Sequence, residues 1–118
     1  MIVGGKQDVA ISNHIADAIP GSKSLTGQLT LRETFGVVAA SDIVICNSSM
    51  LMHVAAAFSV RHLVLLGDYF GSAKAHQKQW GYEGLSLVLG KNQDRPQIFS
   101  AAEVFAILKS ELAKRSLN

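Results

Sequence analysis

The sequence has few of the residues that hold very small or secreted domains together. It contains one cysteine, Cys46, among 118 residues, so no disulfide can form within the chain. Only 2 residues are proline and 17% are charged, whereas 48% are hydrophobic, which excludes an intrinsically disordered chain. No apolar run approaches the roughly 20 residues of a transmembrane helix, and the N-terminus does not resemble a signal peptide. We therefore expect a cytoplasmic protein with a well-buried core and no transmembrane segment.

Charge of either sign is also scarce. The 11 lysines and arginines nearly balance the 9 acidic residues, which leaves a formal net charge of +2. The basic residues are scattered and form no stripe with interleaved aromatic residues, so nucleic acid is not an expected partner. No Cys/His spacing is typical of a zinc site, and we expect neither a metal site nor a cofactor.

Short apolar runs alternate with segments of helical period. The apolar run at 42–46 is rich in β-branched residues, which is typical of a strand covered on both faces. Further strands are predicted at 2–3, 62–66 and 85–89, and a short strand or extended loop at 24–27. Helices are predicted at 8–19, from Thr30 with a buried stripe of Leu31, Phe35 and Val38, at 49–58, within 68–84 and from Ser100. This order predicts a single α/β domain over 1–118, with a Rossmann-like parallel sheet and helices on both faces.

Ligands of such sheets bind beyond the carboxyl ends of the strands. The most informative of these segments is 47–57, which joins a buried strand to a helix. The first amides of a helix lack intrahelical partners and lie at its positive end. With Ser48, Ser49 and His53 beside them, they are suited to bind a phosphate or pyrophosphate. An ordinary N-cap and a surface histidine would have the same sequence, so both interpretations stay open.

Residues 25–31 have the sequence Leu-Thr-Gly-Gln-Leu-Thr-Leu, and residues 48–57 have the sequence Ser-Ser-Met-Leu-Met-His-Val-Ala-Ala-Ala. These segments resemble a Leu-Thr-Gly-x-x-x-Leu element and an Asp-Ser/Thr-Gly-x-x-His-x-Ala-x-Ala motif in the C-terminal half of family 9 glycosyltransferases, the ADP-heptose:lipopolysaccharide heptosyltransferases. Gly4, Gly5 and Asp8 resemble the family's strand-end Gly-Gly with a following acidic residue. Residues 62–67 resemble a later strand that ends in glycine, and 100–104 its last helix.

The resemblance implies the donor-binding half of a GT-B glycosyltransferase. By analogy, the pyrophosphate of a nucleotide sugar such as ADP-heptose would contact the segment around Ser48 and His53, and its ribose would contact Asp8. The base would lie near Thr26 and Leu29. The donor-binding residues implied in this way are Asp8, Thr26, Gly27, Leu29, Ser48, Ser49, Met50, Leu51 and His53. Transfer in the family requires no metal and serves lipopolysaccharide or other cell-envelope glycan synthesis, which implies a cytoplasmic protein peripheral to the inner membrane.

The sequence departs from the family pattern in three respects. Ser48 stands in place of the Asp, and Met50 in place of the Gly. The acceptor half, which holds the catalytic base, and the first strand–helix unit of the donor half have no counterpart here. We therefore expect no catalytic residue and no activity from the chain alone, which leaves its status as an enzyme uncertain. A homodimer or a separate acceptor domain are the expected protein partners.

A second hypothesis follows from the same departures. The chain could be a degenerate, non-catalytic interaction domain that keeps the fold and oligomerises. Outside the motif, Lys74, His76 and Lys78 are expected in a solvated loop, with a phosphate contact as the alternative. Trp80 and Tyr82 are expected to cover a sheet edge or an interface, or to stack on a base.

Overall fold

A computed structural model describes residues 1–116 of the chain. The helices are α1 (Val9–Ala18), α2 (Leu31–Ala39), α3 (Met50–Ala57), α4 (Ala73–Trp80) and α5 (Ala101–Ser116), and the strands are β1 (Val44–Cys46), β2 (His62–Leu65) and β3 (Ser86–Leu89). The three strands form one parallel sheet in the order β1-β2-β3. The predicted α/β fold class is therefore confirmed.

The chain divides into two compact units, one covering Met1–Val37 and the other beginning at Val38. The sheet and helices α3, α4 and α5 lie in the second unit, and α1 lies in the first. Within residues 1–116, no helix is both long and apolar enough to cross a membrane.

The first unit has no regular strand, contrary to the strand predicted at 2–3. Ile2 instead forms a single parallel bridge with Ser24. Hydrogen bonds join Ile2 N to Lys23 O and Leu25 N to Ile2 O, both at 2.9 Å, so residues 24–27 form an extended loop rather than a strand. The pairing ends because Gly4 and Gly5 lead directly into a 3-10 turn, while Gly27 adopts a positive φ of 73°.

The capping box predicted at the start of α2 is confirmed. Thr30 N donates to Glu33 Oε1 at 2.9 Å, and Glu33 N donates to Thr30 Oγ1 at 3.2 Å. The predicted buried stripe is wrong at Leu31, which is 57% exposed, whereas Phe35 is half-buried and Val38 is buried. Helix side chains point toward the N-terminus of the helix. The side chain of Leu31, the first helical residue, therefore extends past the helix start.

The sheet in the second unit has its best-covered strand in the centre. His62, Leu63 and Val64 of β2 are each at most 1% exposed. The prediction that 42–46 is covered on both faces is wrong for Ile45, which is 46% exposed. In residues 1–116, β1 is an outer strand of the sheet and is buried only at alternate positions, as in a strand with one packed face.

The core of the second unit lies between the sheet and its helices. Met52 and Ala55 of α3 are buried against a cluster of apolar side chains that comprises Val38, Val44, Cys46, Val60, Val64, Leu66 and Ala73. Small alanines let α3 approach the sheet closely, and α3 contacts both β1 and β2. This packing holds the start of α3 immediately beyond the carboxyl end of β1.

Candidate functional site

In the part of the chain that the structure describes, no side chain caps the start of α3. Ser49 occupies the N-cap position with an extended backbone (φ −151°, ψ −179°), and its side chain makes no capping hydrogen bond. Met52 N donates to Ser49 O at 3.2 Å. The amides of Met50 and Leu51 precede it, where a helix offers no internal acceptor. Met50 is 48% exposed and Ser49 is exposed, so neither side chain fills this end of the helix.

The starts of α4 and α5 are different. At α4, Ser72 Oγ accepts from Ala75 N at 3.1 Å, and Asn92 Oδ1 accepts from Lys74 N at 2.8 Å. At α5, Ser100 Oγ accepts from Glu103 N at 3.2 Å in a second capping box. These helices use their own side chains to satisfy the first amides, which leaves α3 as the helix start in the second unit best suited to bind an anion.

Ser48 is held by a residue distant in sequence. Its Oγ lies 2.8 Å from His76 Nε2, 28 residues further along the chain. His76 lies in α4 and is only 5% exposed, so the solvated loop expected for it is wrong. Its Nδ1 is buried and has no hydrogen-bond partner among residues 1–116. Burial, assisted by the charge of the nearby His53, lowers the pKa of His76.

His53 lies one turn into α3 and has aromatic neighbours. Its Nδ1 is 2.6 Å from the Tyr82 hydroxyl, and the Tyr82 and His53 rings meet edge to face at 5.8 Å. Trp80 approaches the same ring at 6.5 Å and is 51% exposed. Tyr82 thus orients a candidate ligand side chain, a role that the sequence alone did not predict.

A buried histidine lies behind Tyr82. Ser86 Oγ accepts from Tyr82 N at 2.8 Å and lies 2.6 Å from His62 Nε2. His62 Nδ1 lies 2.9 Å from the carbonyl oxygen of Val60, which can only accept, so Nδ1 carries the proton and Nε2 accepts from Ser86. Burial lowers the pKa of His62, partly offset by the Val60 bond, and the charge of His53 lowers it further.

In the first unit, three of the predicted residues come together. Asp8 Oδ2 accepts from Gly5 N at 3.2 Å, and a Cβ at Gly4 would lie 3.1 Å from that oxygen and 3.3 Å from Thr26 Cγ2. Gly27 N donates to Gly4 O at 3.0 Å. Thr26 is 3% exposed, and its Oγ1 has no partner within residues 1–116. This cluster joins Asp8, Thr26 and Gly27, whereas Leu29 lies half-buried in the bend that follows them.

Cys46 ends β1 just before the candidate site but is not part of its chemistry. The residue is 9% exposed, and burial raises the pKa of its thiol to about 11. A thiol with such a pKa is a poor nucleophile at neutral pH, which confirms the inert core role predicted for it. Within residues 1–116, no group of three or more histidine, cysteine, aspartate or glutamate side chains could hold a metal ion.

Comparisons with known proteins agree with the resemblance of the motifs. The family model of glycosyltransferase family 9 (heptosyltransferase) matches residues 1–93. Searches of curated proteins and of solved structures gave no significant match. The matched region contains both the Gly4–Asp8 turn and the start of α3, together with β1, β2 and β3. This chain belongs to glycosyltransferase family 9, the heptosyltransferase family.

Proposed function

We propose that this chain binds a nucleotide-sugar donor and that the start of α3 holds the donor's diphosphate. The observation that carries the proposal is that α3 begins without a side-chain cap, whereas α4 and α5 are capped. Ser48 and Ser49 immediately precede that start and supply hydroxyl groups, and His53 supplies an imidazole one turn into the helix. A helix start stabilises negative charge by up to about 2 kcal/mol in partly buried geometries, and more donors add to it.

The same groups would serve the transfer reaction. When the bond from the sugar to the diphosphate breaks, negative charge accumulates on the departing nucleoside diphosphate. Amides and hydroxyls that are already oriented stabilise this charge without reorganising. On this proposal the chain supplies donor binding and leaving-group stabilisation, and the catalytic base and acceptor site belong to another domain or chain.

Membership of the heptosyltransferase family supports a more specific donor. We propose an ADP-activated heptose or hexose, used in the cytoplasm for lipopolysaccharide or other cell-envelope glycans. Asp8 would contact the ribose, and Thr26, Gly27 and Leu29 would lie near the base. Replacing ADP by UDP and GDP in the binding experiment tests the base, and Asp8→Asn tests the ribose contact.

The central test is calorimetric titration of the full chain with ADP, performed once in the presence of magnesium and once in the presence of EDTA. Ser49→Ala and Ser72→Ala form a matched pair, because both serines are N-cap residues but only Ser72 makes a capping bond. We expect Ser49→Ala to weaken ADP binding while stability stays within about 0.5 kcal/mol. Ser72→Ala should lower stability by about 1 kcal/mol and leave ADP binding unchanged. A folded chain that does not bind millimolar ADP would refute the proposal, and a strict need for magnesium would refute metal-independent binding.

A second candidate function is supported by exposed apolar residues along α1 and at its C-cap. Ile11 and Ile15 of α1 and the C-cap residue Ile19 are spaced four residues apart and are 63%, 39% and 52% exposed. Such a stripe is typical of an interface and favours an interaction domain that forms a homodimer. Light scattering distinguishes the candidates, because a monomer at high concentration that still binds ADP would exclude this alternative.

A further inference from the structure

The Ser48–His76 pair gives the start of α3 a hydrogen-bonding arrangement that the motif alone does not contain. His76 lies in α4, is only 5% exposed, and reaches Ser48 Oγ with its Nε2 at 2.8 Å. Phe70 covers the imidazole edge to face, with ring centroids 5.3 Å apart. Among the described residues, the ring is therefore held between an apolar neighbour and one polar partner.

The surroundings of the ring limit where its proton can lie. A doubly protonated ring would bury a charged N–H at Nδ1 that finds no acceptor within residues 1–116, which is costly. Burial lowers the pKa of His76, in agreement with a neutral ring. Protonation at Nδ1 alone would also bury an orphaned N–H, and orphaned N–H groups are rare in proteins. Protonation at Nε2 leaves only an unpaired acceptor and is the ordinary form of a free neutral imidazole.

We propose that His76 is a positioning residue that donates its Nε2–H to Ser48 Oγ and thereby leaves the Ser48 hydroxyl hydrogen to donate to a diphosphate oxygen of the nucleotide sugar. A hydroxyl carries one hydrogen and two lone pairs. If Nε2 accepted instead, that hydrogen would be directed at His76 and the lone pairs of Ser48 would face the anion. The proton position on a side chain that does not touch the ligand thus decides whether Ser48 attracts or repels a phosphate.

This inference rests on the proposed diphosphate site and explains how Ser48 can act there. The family motif has an aspartate at this position, and a carboxylate can only accept hydrogen bonds. In this chain the position carries a neutral donor whose direction is set by a contact across 28 residues. The Ser48–His76 bond also ties the loop before α3 to α4, so the loop is ordered without an acidic side chain.

The first measurement requires no ligand. Long-range proton–nitrogen NMR correlations on the free full chain report which nitrogen of His76 is protonated. We expect Nε2 to be protonated and Nδ1 to be unprotonated. The signals of His76 are assigned as those that disappear in His76→Gln. A protonated Nδ1 would overturn the inference while leaving the proposed function intact.

The second measurement is ADP affinity in variants that separate the two ring nitrogens. The amide nitrogen of His76→Gln can occupy the place of Nε2, whereas that of His76→Asn lies nearer to Nδ1. We expect His76→Asn and Ser48→Ala each to weaken ADP binding roughly tenfold, as for a lost hydrogen bond to a charged group. The ADP affinity of His76→Gln should stay within about threefold of that of the original chain. Ser48→Ala combined with His76→Asn should bind ADP no more weakly than Ser48→Ala alone.

Each outcome decides a different point. Retained ADP affinity in His76→Gln, together with non-additive losses in the double variant, supports a positioning role. If His76 only stabilised the fold, His76→Gln and His76→Asn would both weaken ADP binding. His76→Gln binding ADP as weakly as His76→Asn, or fully additive losses in chains with unchanged near-UV circular dichroism, would overturn the inference. If the original folded chain binds no ADP, the proposed function fails and the inference falls with it.

Discussion

Removing the Tyr82 hydroxyl tests whether His53 is an oriented ligand. Tyr82→Phe deletes one oxygen, 2.6 Å from His53 Nδ1, and keeps the ring that packs edge to face on His53 and His62. An exposed neutral hydrogen bond contributes about 0.5–1.5 kcal/mol. If that bond holds His53 in its binding orientation, its loss should weaken ADP binding roughly threefold to tenfold. Stability should fall by about 1 kcal/mol or less, because the aromatic contacts remain.

A matched control lies in the same unit. Tyr69 is 92% exposed, and its ring contacts only Phe70 among the aromatic residues of the described chain. Tyr69→Phe makes the same chemical change without touching His53, so its ADP affinity should equal that of the original chain. Isothermal titration at one pH and salt concentration measures both. Equal affinities for the two variants would refute the idea that Tyr82 orients His53 for binding.

Three further predictions concern stability and reactivity. Burial is the main cause of the lowered pKa values of His62 and His76. The stability that these two neutral rings contribute is therefore complete above about pH 6.5 and is lost as the pH falls through their pKa values in the folded chain. The free energy of unfolding from urea titration should thus decrease between pH 7 and pH 5, less so in His76→Gln; no decrease would contradict this. Since burial raises the pKa of Cys46 to about 11, a thiol reagent at pH 8 should react roughly a hundredfold faster with unfolded than with native chain; equal rates would refute its burial. Gly27→Ala should destabilise the chain by about 1–2 kcal/mol in thermal melts, because φ at Gly27 is 73° and the new Cβ would lie 3.0 Å from Val9 Cγ2. Gly36→Ala is the control: a Cβ there would enter open space beside α2, so this substitution should stabilise the chain slightly.

Local signals in the sequence predicted most of the helix and strand positions. Two capping boxes, Thr30 with Glu33 and Ser100 with Glu103, appear in the structure as reciprocal hydrogen bonds. The apolar run at 62–66 became the central strand β2, which is buried at its first three positions. These features depend on residues three or four apart or on continuous apolar runs, so the local pattern contains enough information to predict them.

Burial of individual side chains was less predictable. Ile45 lies in an apolar run as continuous as that of β2 but is 46% exposed, because coverage depends on the place of a strand in the sheet. Leu31 fits the helical period but belongs to the first turn and projects past the helix start. Periodicity identifies which residues share a face, and it does not determine whether that face is covered at each point.

The candidate site shows the same limit more sharply. Ser48, Ser49 and His53 could be identified from their spacing after a strand, since the start of a helix is a local feature. Their partners could not, because His76 and Tyr82 are 28 and 29 residues away in sequence. A histidine in a segment rich in lysine and glycine predicts a solvated loop, and only the packing of α4 on β3 reveals that His76 is buried.

The two departures from the family motif have different physical consequences. A glycine is needed where φ is positive or where a side chain would obstruct the backbone. Within residues 1–116, the non-glycine residue with a positive φ is Ser59, so Met50 occupies its position without backbone strain, and its side chain is 48% exposed. Ser48, in contrast, gains a partner that an aspartate would use differently, since a carboxylate beside His76 would favour a charged imidazole. The methionine therefore alters the shape of the helix start, whereas the serine alters its hydrogen bonding, and affinity measurements on Met50→Gly and Ser48→Asp would separate these two effects.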